Sequence, residues 1–245
     1  MLIQEARTTV VTTNGLHRRR FYVGVSMLMG IIAVAGFWPT YFGPLVSGTN
    51  EQPPLIHLHA TVFAGWLVLF LAQAVLAATG RLSWHLRLGR IGIGYAVLLV
   101  IVGLYTGISR SADRLGAGGD AEGLLFAAVS DMVVFSAFFG AAIAYRRRPQ
   151  IHKRLMMVAA TMLLVAATGR MSFLPAPPLG LPVRLAVWFS PIALAMAHDF
   201  RGRRLIHPVY VIGLGVFLVR IFSRGFIVGT DAWAAFTRWA TTLVA

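Results

Sequence analysis

The chain has 245 residues, of which 58% are hydrophobic and only 12% charged, and it carries a formal net charge of +14. Soluble domains average roughly 25% charged residues, and the mean hydropathy of +0.74 excludes a water-soluble fold, which has no means of covering so much apolar side chain. The lack of cysteine excludes disulfides, thiolate metal ligands and cysteine-held iron–sulfur clusters.

Read through a window of about 19 residues, seven apolar stretches follow one another in chain order: 21–38, 55–78, 91–108, 124–145, 155–173, 183–198 and 209–222. Lipid offers a backbone amide no hydrogen-bond partner, and the runs are too long and unbroken for barrel strands, so each is expected to be a helix. The expected fold is all-α, a single seven-helix bundle. Arg18 to Arg20 ahead of the first run, with the small triplet Ala33-Val34-Ala35, imitates a signal peptide; the run is read here as a spanning helix. The tail 226–245 is apolar but broken by Asp231 and Arg238, which favours the outer membrane interface over an eighth span.

Orientation follows from the basic residues. Arg7, Arg18, Arg19 and Arg20 precede the first span; Arg81, Arg87 and Arg90 lie between the second and third. Arg146, Arg147, Arg148, Lys153 and Arg154 lie between the fourth and fifth, and Arg201, Arg203 and Arg204 between the sixth and seventh. These are 15 of the 22 basic residues, and the opposite loops carry Glu51, Asp113, Asp120 and Glu122. The positive-inside rule then puts the N-terminus in the cytoplasm and the C-terminus in the periplasm. The isoelectric point near 11.6 is accordingly a topology and lipid-headgroup signal. Nucleic acid is excluded as a partner, because the arginines are divided among short loops beside the membrane.

The cytoplasmic turns carry an internal echo. H-x-R-L occurs as His85-Leu86-Arg87-Leu88 before the third span and as His152-Lys153-Arg154-Leu155 at the fifth, with a looser Arg204-Leu205-Ile206-His207 before the seventh. The pattern suggests helical hairpins repeated in parallel after a lone first helix.

Ionisable residues inside apolar spans are costly in lipid and so point to the bundle interior or to a functional site. Asp131 falls about two turns below the outer surface on the fourth span and Arg170 about one turn below it on the fifth. Arg170 shares a helical face with Ala159, Leu163, Ala166 and Ala167, a small-residue face suited to a close neighbour. An Asp131–Arg170 ion pair is the expected partnership. His57 and His59 open the second span after Pro53-Pro54, about 200° apart on an ideal helix. His57 shares its face with Thr61, Ala64, Val68 and Ala72, and His59 with Phe63, Trp66, Phe70 and Gln73. The smaller side chains favour His57 as the inward-facing residue, with Gln73 arguing the other way; an extended first turn would let both rings hold a metal. Arg110, Arg184 and Arg220, with Arg170, form a candidate electropositive mouth for a carboxylate, phosphate or haem propionate, to which Tyr41 and Tyr105 would add hydroxyls.

The runs H-L-H-A-T-V-F-A-G-W at 57–66, A-T-G-R with Trp84-His85 and L-G-R before the third span, and H-K-R-L-M at 152–156 resemble a family of bacterial multi-pass inner-membrane proteins without an established reaction. The resemblance covers roughly 37–173 and implies fold and inner-membrane location, with no activity to carry over. Through histidines at helix ends the chain is more faintly similar to b-type cytochromes and respiratory-oxidase assembly proteins. It departs from their pattern because a bis-histidine haem takes its ligands from facing helices at one level. On the outer side only the second span supplies histidines; on the cytoplasmic side His152 and His198 come nearest. A retinal Schiff base is excluded, since the only lysine, Lys153, lies in a turn. An intramembrane zinc hydrolase would have only His57, His59 and Asp131 to work with.

The expectation is a membrane bundle with a polar pocket in its outer half. The leading reading is redox-associated, with a metal ion, haem b or a quinone near His57. The alternative is a non-enzymatic transporter, receptor or assembly factor that binds a small anion through the outer arginines.

Overall fold

The computed structural model describes residues 2–175 and 178–244. The side chains of Arg7, Arg18, Arg19 and Arg203, counted above for topology, lie outside the described residues. Among those residues the chain is helical throughout: α1 Leu2–Phe37, a π turn Trp38–Phe42, α2 Gly43–Ser47, α3 Pro54–Ala78, α4 Leu82–Gly116, α5 Ala121–Ala144, α6 Pro149–Met162, α7 Val165–Gly169, α8 Gly180–Arg203, α9 Pro208–Ile227 and α10 Asp231–Thr241. Seven helical stretches are long and apolar enough to cross a membrane, which marks the chain as a multi-pass membrane protein. Its surface agrees: Ile101, Val133, Val219 and Phe222 are exposed, an arrangement that water penalises and lipid tolerates.

Local chemistry sets the helix ends. Pro54, Pro149 and Pro208 stand in the first turns of α3, α6 and α9, where a missing N–H costs nothing. Asp120 caps α5 by accepting from Gly123 N at 2.7 Å, and Thr230 caps α10 by accepting from Trp233 N at 3.3 Å. The tight turns at 79–81 and 117–120 turn on Gly80 and Gly118, both with positive φ. Turns this short make α3/α4, α4/α5 and α5/α6 antiparallel neighbours. The turns at 79–81, 145–148 and 204–207 therefore share one end of the bundle, the basic end; 117–120, the loop after α7 and the start of α10 share the far end.

The fifth and sixth spans depart from ideal helices for identifiable reasons. The fifth, expected to be continuous over 155–173, begins at Pro149 and breaks between α6 and α7, with neither Gly nor Pro at the break. The indole of Trp188 donates to Thr161 O at 2.9 Å, and Leu164 N takes the same carbonyl at 3.1 Å in a tightened turn. A side chain inserted into the backbone ladder is a recognised cause of a kink. In α8, Pro191 removes the donor that Val187 O would receive, and Ser190 Oγ supplies one at 2.8 Å.

The core is built of large rings set against close backbone crossings. Trp66 packs edge-on against Phe135 and Phe139 of α5, and Trp188 stacks on Phe217 of α9 at 5.2 Å. Gly36 meets the Ala167 backbone so closely that a Cβ there would overlap its carbonyl, and a Cβ at Gly107 would overlap the Ala128 methyl. The expected inward face of the fifth span is confirmed in part: Ala159 and Ala167 are fully buried. The tail does not span. Instead α10, eleven residues long, docks on the far ends of α4 and α5, where Trp233 Nε1 donates to Glu122 O at 3.1 Å and Gly229 N to Glu122 Oε2 at 2.9 Å.

Candidate functional site

The structure reverses the expected roles of the two histidines on α3. Thr61 and Val68, which share the face of His57, are turned outward, Val68 to 67% exposure. The opposite face carries Val62 and Trp66 into the core, Trp66 to 2% exposure. Side-chain size misled because this core is filled by rings: Trp66 needs the space between α3 and α5, so the smaller residues are left for the lipid. Gln73, the one polar residue deep on that face, indicated the correct direction.

His57 and His59 do not converge. Both belong to the helix that starts at Pro54, so their rings diverge as an ideal helix requires. His57 Nδ1 lies 3.0 Å from the Tyr41 hydroxyl, which ties α3 to the π turn. His59 stacks on Phe63 at 4.1 Å, and its Nδ1 is buried without a hydrogen-bond partner. A metal held by both is thereby corrected: among the described residues no three His, Asp or Glu side chains gather.

The Asp131–Arg170 pair is also corrected. Asp131 Oδ1 lies 2.6 Å from Arg220 Nη2 on α9, both side chains about one-eighth exposed at 13% and 12%. Arg220 Nε is buried with no acceptor, and the guanidinium lies over the Phe126 ring. Arg170 instead follows α7, donates Nη1 to Ala166 O at 2.9 Å and lies 5.1 Å over Phe37. That is a helix C-terminus capped by a cation, which the break in the fifth span makes available. Spacing along the chain identified both charged residues but gave no information on which neighbour each would face.

The expected arginine mouth is largely occupied by protein partners. Arg110 pairs with Asp113 at 2.9 Å, one turn along the same helix. Arg184 donates to Pro175 O at 2.7 Å, Met171 O at 3.1 Å and Leu174 O at 3.3 Å, pinning the loop after α7. Arg220 is neutralised by Asp131. Tyr105 is half exposed on α4.

A different polar layer lies in the far half. Gly103 of α4 leaves room for Phe63 of α3 and Met132 of α5 to meet, which sets those three helices at one depth. Thr106 is one turn along the same face of α4, and its hydroxyl is buried with no partner. His59 is one turn along α3 from Phe63 in the matching direction, and Asp131 adjoins Met132. Arg170 is within electrostatic reach of His59. The layer thus combines an unpartnered imidazole nitrogen, an unpartnered hydroxyl and an ion pair, beside the Phe63 and Phe126 rings. Buried polar groups normally find partners, and here two at a similar depth have none.

At the basic end the structure shows a feature that sequence reading missed. Arg154, counted only as a topology charge, donates Nε and Nη2 to the two Asp199 carboxylate oxygens, each at 2.7 Å, and the side chains are 1% and 4% exposed. Nη1 reaches the Gln150 main chain and side chain. The only available signal was Asp199 itself, an acid at the end of a span in a basic loop. His198, the suggested partner of His152, stacks flat on Phe21 at 4.0 Å.

No protein-family model, curated protein or solved structure matches the chain.

Proposed function

We propose that this multi-pass protein resides in the bacterial inner membrane with its basic end in the cytoplasm, and that it binds a lipid-soluble quinone in the far-half layer between α3, α4 and α5. The supporting observation is the pair of unpartnered buried groups, His59 Nδ1 and Thr106 Oγ1. Both can donate a hydrogen bond, and a quinone carbonyl is an acceptor that arrives through lipid without a charge to desolvate. Phe63 stacks on the His59 imidazole at 4.1 Å and holds that ring in place within the layer. A small anion is less well served, since the arginines that would hold it already serve Asp131, Asp113 and loop carbonyls.

The test is quinone binding to the full chain in detergent, followed by quenching of tryptophan fluorescence with a short-tailed ubiquinone. His59→Leu should weaken binding by about tenfold, the worth of one hydrogen bond of roughly 1.4 kcal/mol. His57→Leu should leave it unchanged. Equal affinity in wild type and folded His59→Leu would overturn the reading.

A further inference from the structure

We propose that the turn 145–148 at the basic end binds an anionic glycerophospholipid, with the phosphate held by Arg146, Arg147 and Arg148 and an acyl chain lying along the outward face of α5. The site rests on the membrane spans alone and is independent of the quinone reading.

Charge is balanced differently at the two ends. In the far half Arg110, Arg220 and Arg224 each face a carboxylate, and Arg184 is bonded to loop carbonyls. At the basic end the one carboxylate among the described side chains, Asp199, is fully engaged by buried Arg154. Arg146, Arg147 and Arg148 are consecutive and exposed. Arg146 donates Nη1 to Ile143 O at 3.2 Å and Arg148 lies 5.9 Å over the Tyr145 ring, while Arg147 has no hydrogen bond or ion pair among the described residues. Three adjacent like charges repel one another, and no protein anion relieves them. An external phosphate is the complementary partner, since a guanidinium matches its oxygens bidentately.

The backbone holds the three arginines together. Arg146 N donates to Ile143 O at 3.2 Å and Arg148 N to Tyr145 O at 2.8 Å, so the chain reverses within a few residues. His152 Nδ1 then bonds Ala142 O at 2.8 Å, tying the first turn of α6 to the end of α5, as His85 Nδ1 ties α4 to Gln73 O of α3 at 3.2 Å. A turn closed in this way is ordered before a ligand arrives, which lowers the entropic cost of binding.

Position selects a lipid over a soluble anion. The turn follows directly on the span Ala121–Ala144, which sets its arginines at headgroup level, and Tyr145, exposed beside them, is an interfacial side chain. Below the turn Val133, Ser136, Ala137, Gly140 and Ala144 recur every three or four residues on one exposed face of α5, and a Cβ at Gly140 would meet nothing. At 1.5 Å per residue this smooth face runs for roughly 16 Å, most of the length of an acyl chain. Small residues also suit a second copy of the chain, but two parallel copies meeting there would set six arginines side by side. Charge therefore favours the anionic lipid.

The test is native mass spectrometry of the full chain, released from detergent after equilibration with phosphatidylglycerol or phosphatidylcholine of matched chain length. The wild type should retain one phosphatidylglycerol in preference to phosphatidylcholine by at least about tenfold, and excess inorganic phosphate should not displace it. The triple variant Arg146→Gln, Arg147→Gln, Arg148→Gln should lose the preference, each arginine being worth about fivefold. The triple variant Arg81→Gln, Arg87→Gln, Arg90→Gln removes as much charge from the same end and should keep it. Gly140→Leu, which projects into open space, should weaken phosphatidylglycerol retention severalfold. Equal retention of the two lipids by the wild type, equal losses in the two triple variants, or displacement by inorganic phosphate would overturn the proposal. So would a dimer that Gly140→Leu dissociates, because the smooth face of α5 would then belong to a second copy.

Discussion

Among the described residues are two deeply placed Arg–Asp pairs, and they differ in completeness. At the basic end Arg154 and Asp199 satisfy each other with parallel hydrogen bonds, and Gln150 takes the remaining donor. In the far half Asp131 meets Arg220 through one short contact, leaving Arg220 Nε without an acceptor, with His59 and Thr106 unpartnered at a similar depth. A saturated pair joins helices and has nothing left to offer a ligand. An incomplete polar layer costs stability, and in the proposed function a bound quinone offsets that cost.

The largest expected effect tests the saturated pair. Arg154→Ala or Asp199→Ala should each cost about 3–5 kcal/mol, because one charge is stranded in a dry interior. Thermal unfolding in detergent measures it, and replacing both with leucine and methionine should recover most of the loss. A single substitution as mild as a surface change would remove the distinction between the two regions.

The far-half pair should couple more weakly. In a double-mutant cycle, Asp131→Ala and Arg220→Ala should interact by roughly 1–3 kcal/mol, whereas Asp131→Ala and Arg170→Ala should be additive. Coupling to Arg170 instead of Arg220 would refute the observed partnership.

A packing change of similar size tests the close crossing that holds α1 against α7. Gly36→Val should destabilise by about 1–3 kcal/mol, since its side chain would overlap the Ala167 backbone. Gly30→Val on the same helix, where a Cβ meets nothing, should have little effect. The smallest expected change is at the helix break: Trp188→Phe keeps the stacking on Phe217 but removes the donor to Thr161 O, at a cost of about 0.5–1.5 kcal/mol.

How much of this was legible in the sequence follows from what a one-dimensional pattern encodes. The seven spans were legible because length and apolarity are local properties, and the end of α9 differed from expectation only by a few residues. The break in the fifth span was not, because its cause is an indole on α8, 27 residues away from Thr161. The buried charges could be found individually, yet Asp131 was matched to Arg170 on the nearer span when the helix it meets is α9. The reversal of His57 and His59 has the same origin. Residue size on a helix reports how closely a neighbour can come, not which side the neighbour occupies. The histidines of the H-x-R-L echo proved equivalent in their backbone contacts, while the arginines did not: Arg87 covers a tryptophan and Arg154 is buried against Asp199.

The most direct measurement is photolabelling of the membrane-embedded protein with an azido-quinone, with labelled peptides identified by mass spectrometry. A quinone in the far-half layer puts label on α3 between His59 and Trp66 and on α4 near Gly103 and Thr106, displaced by excess unlabelled quinone. Label confined to the outward face of Thr61 and Val68, or label that excess quinone does not displace, would contradict it.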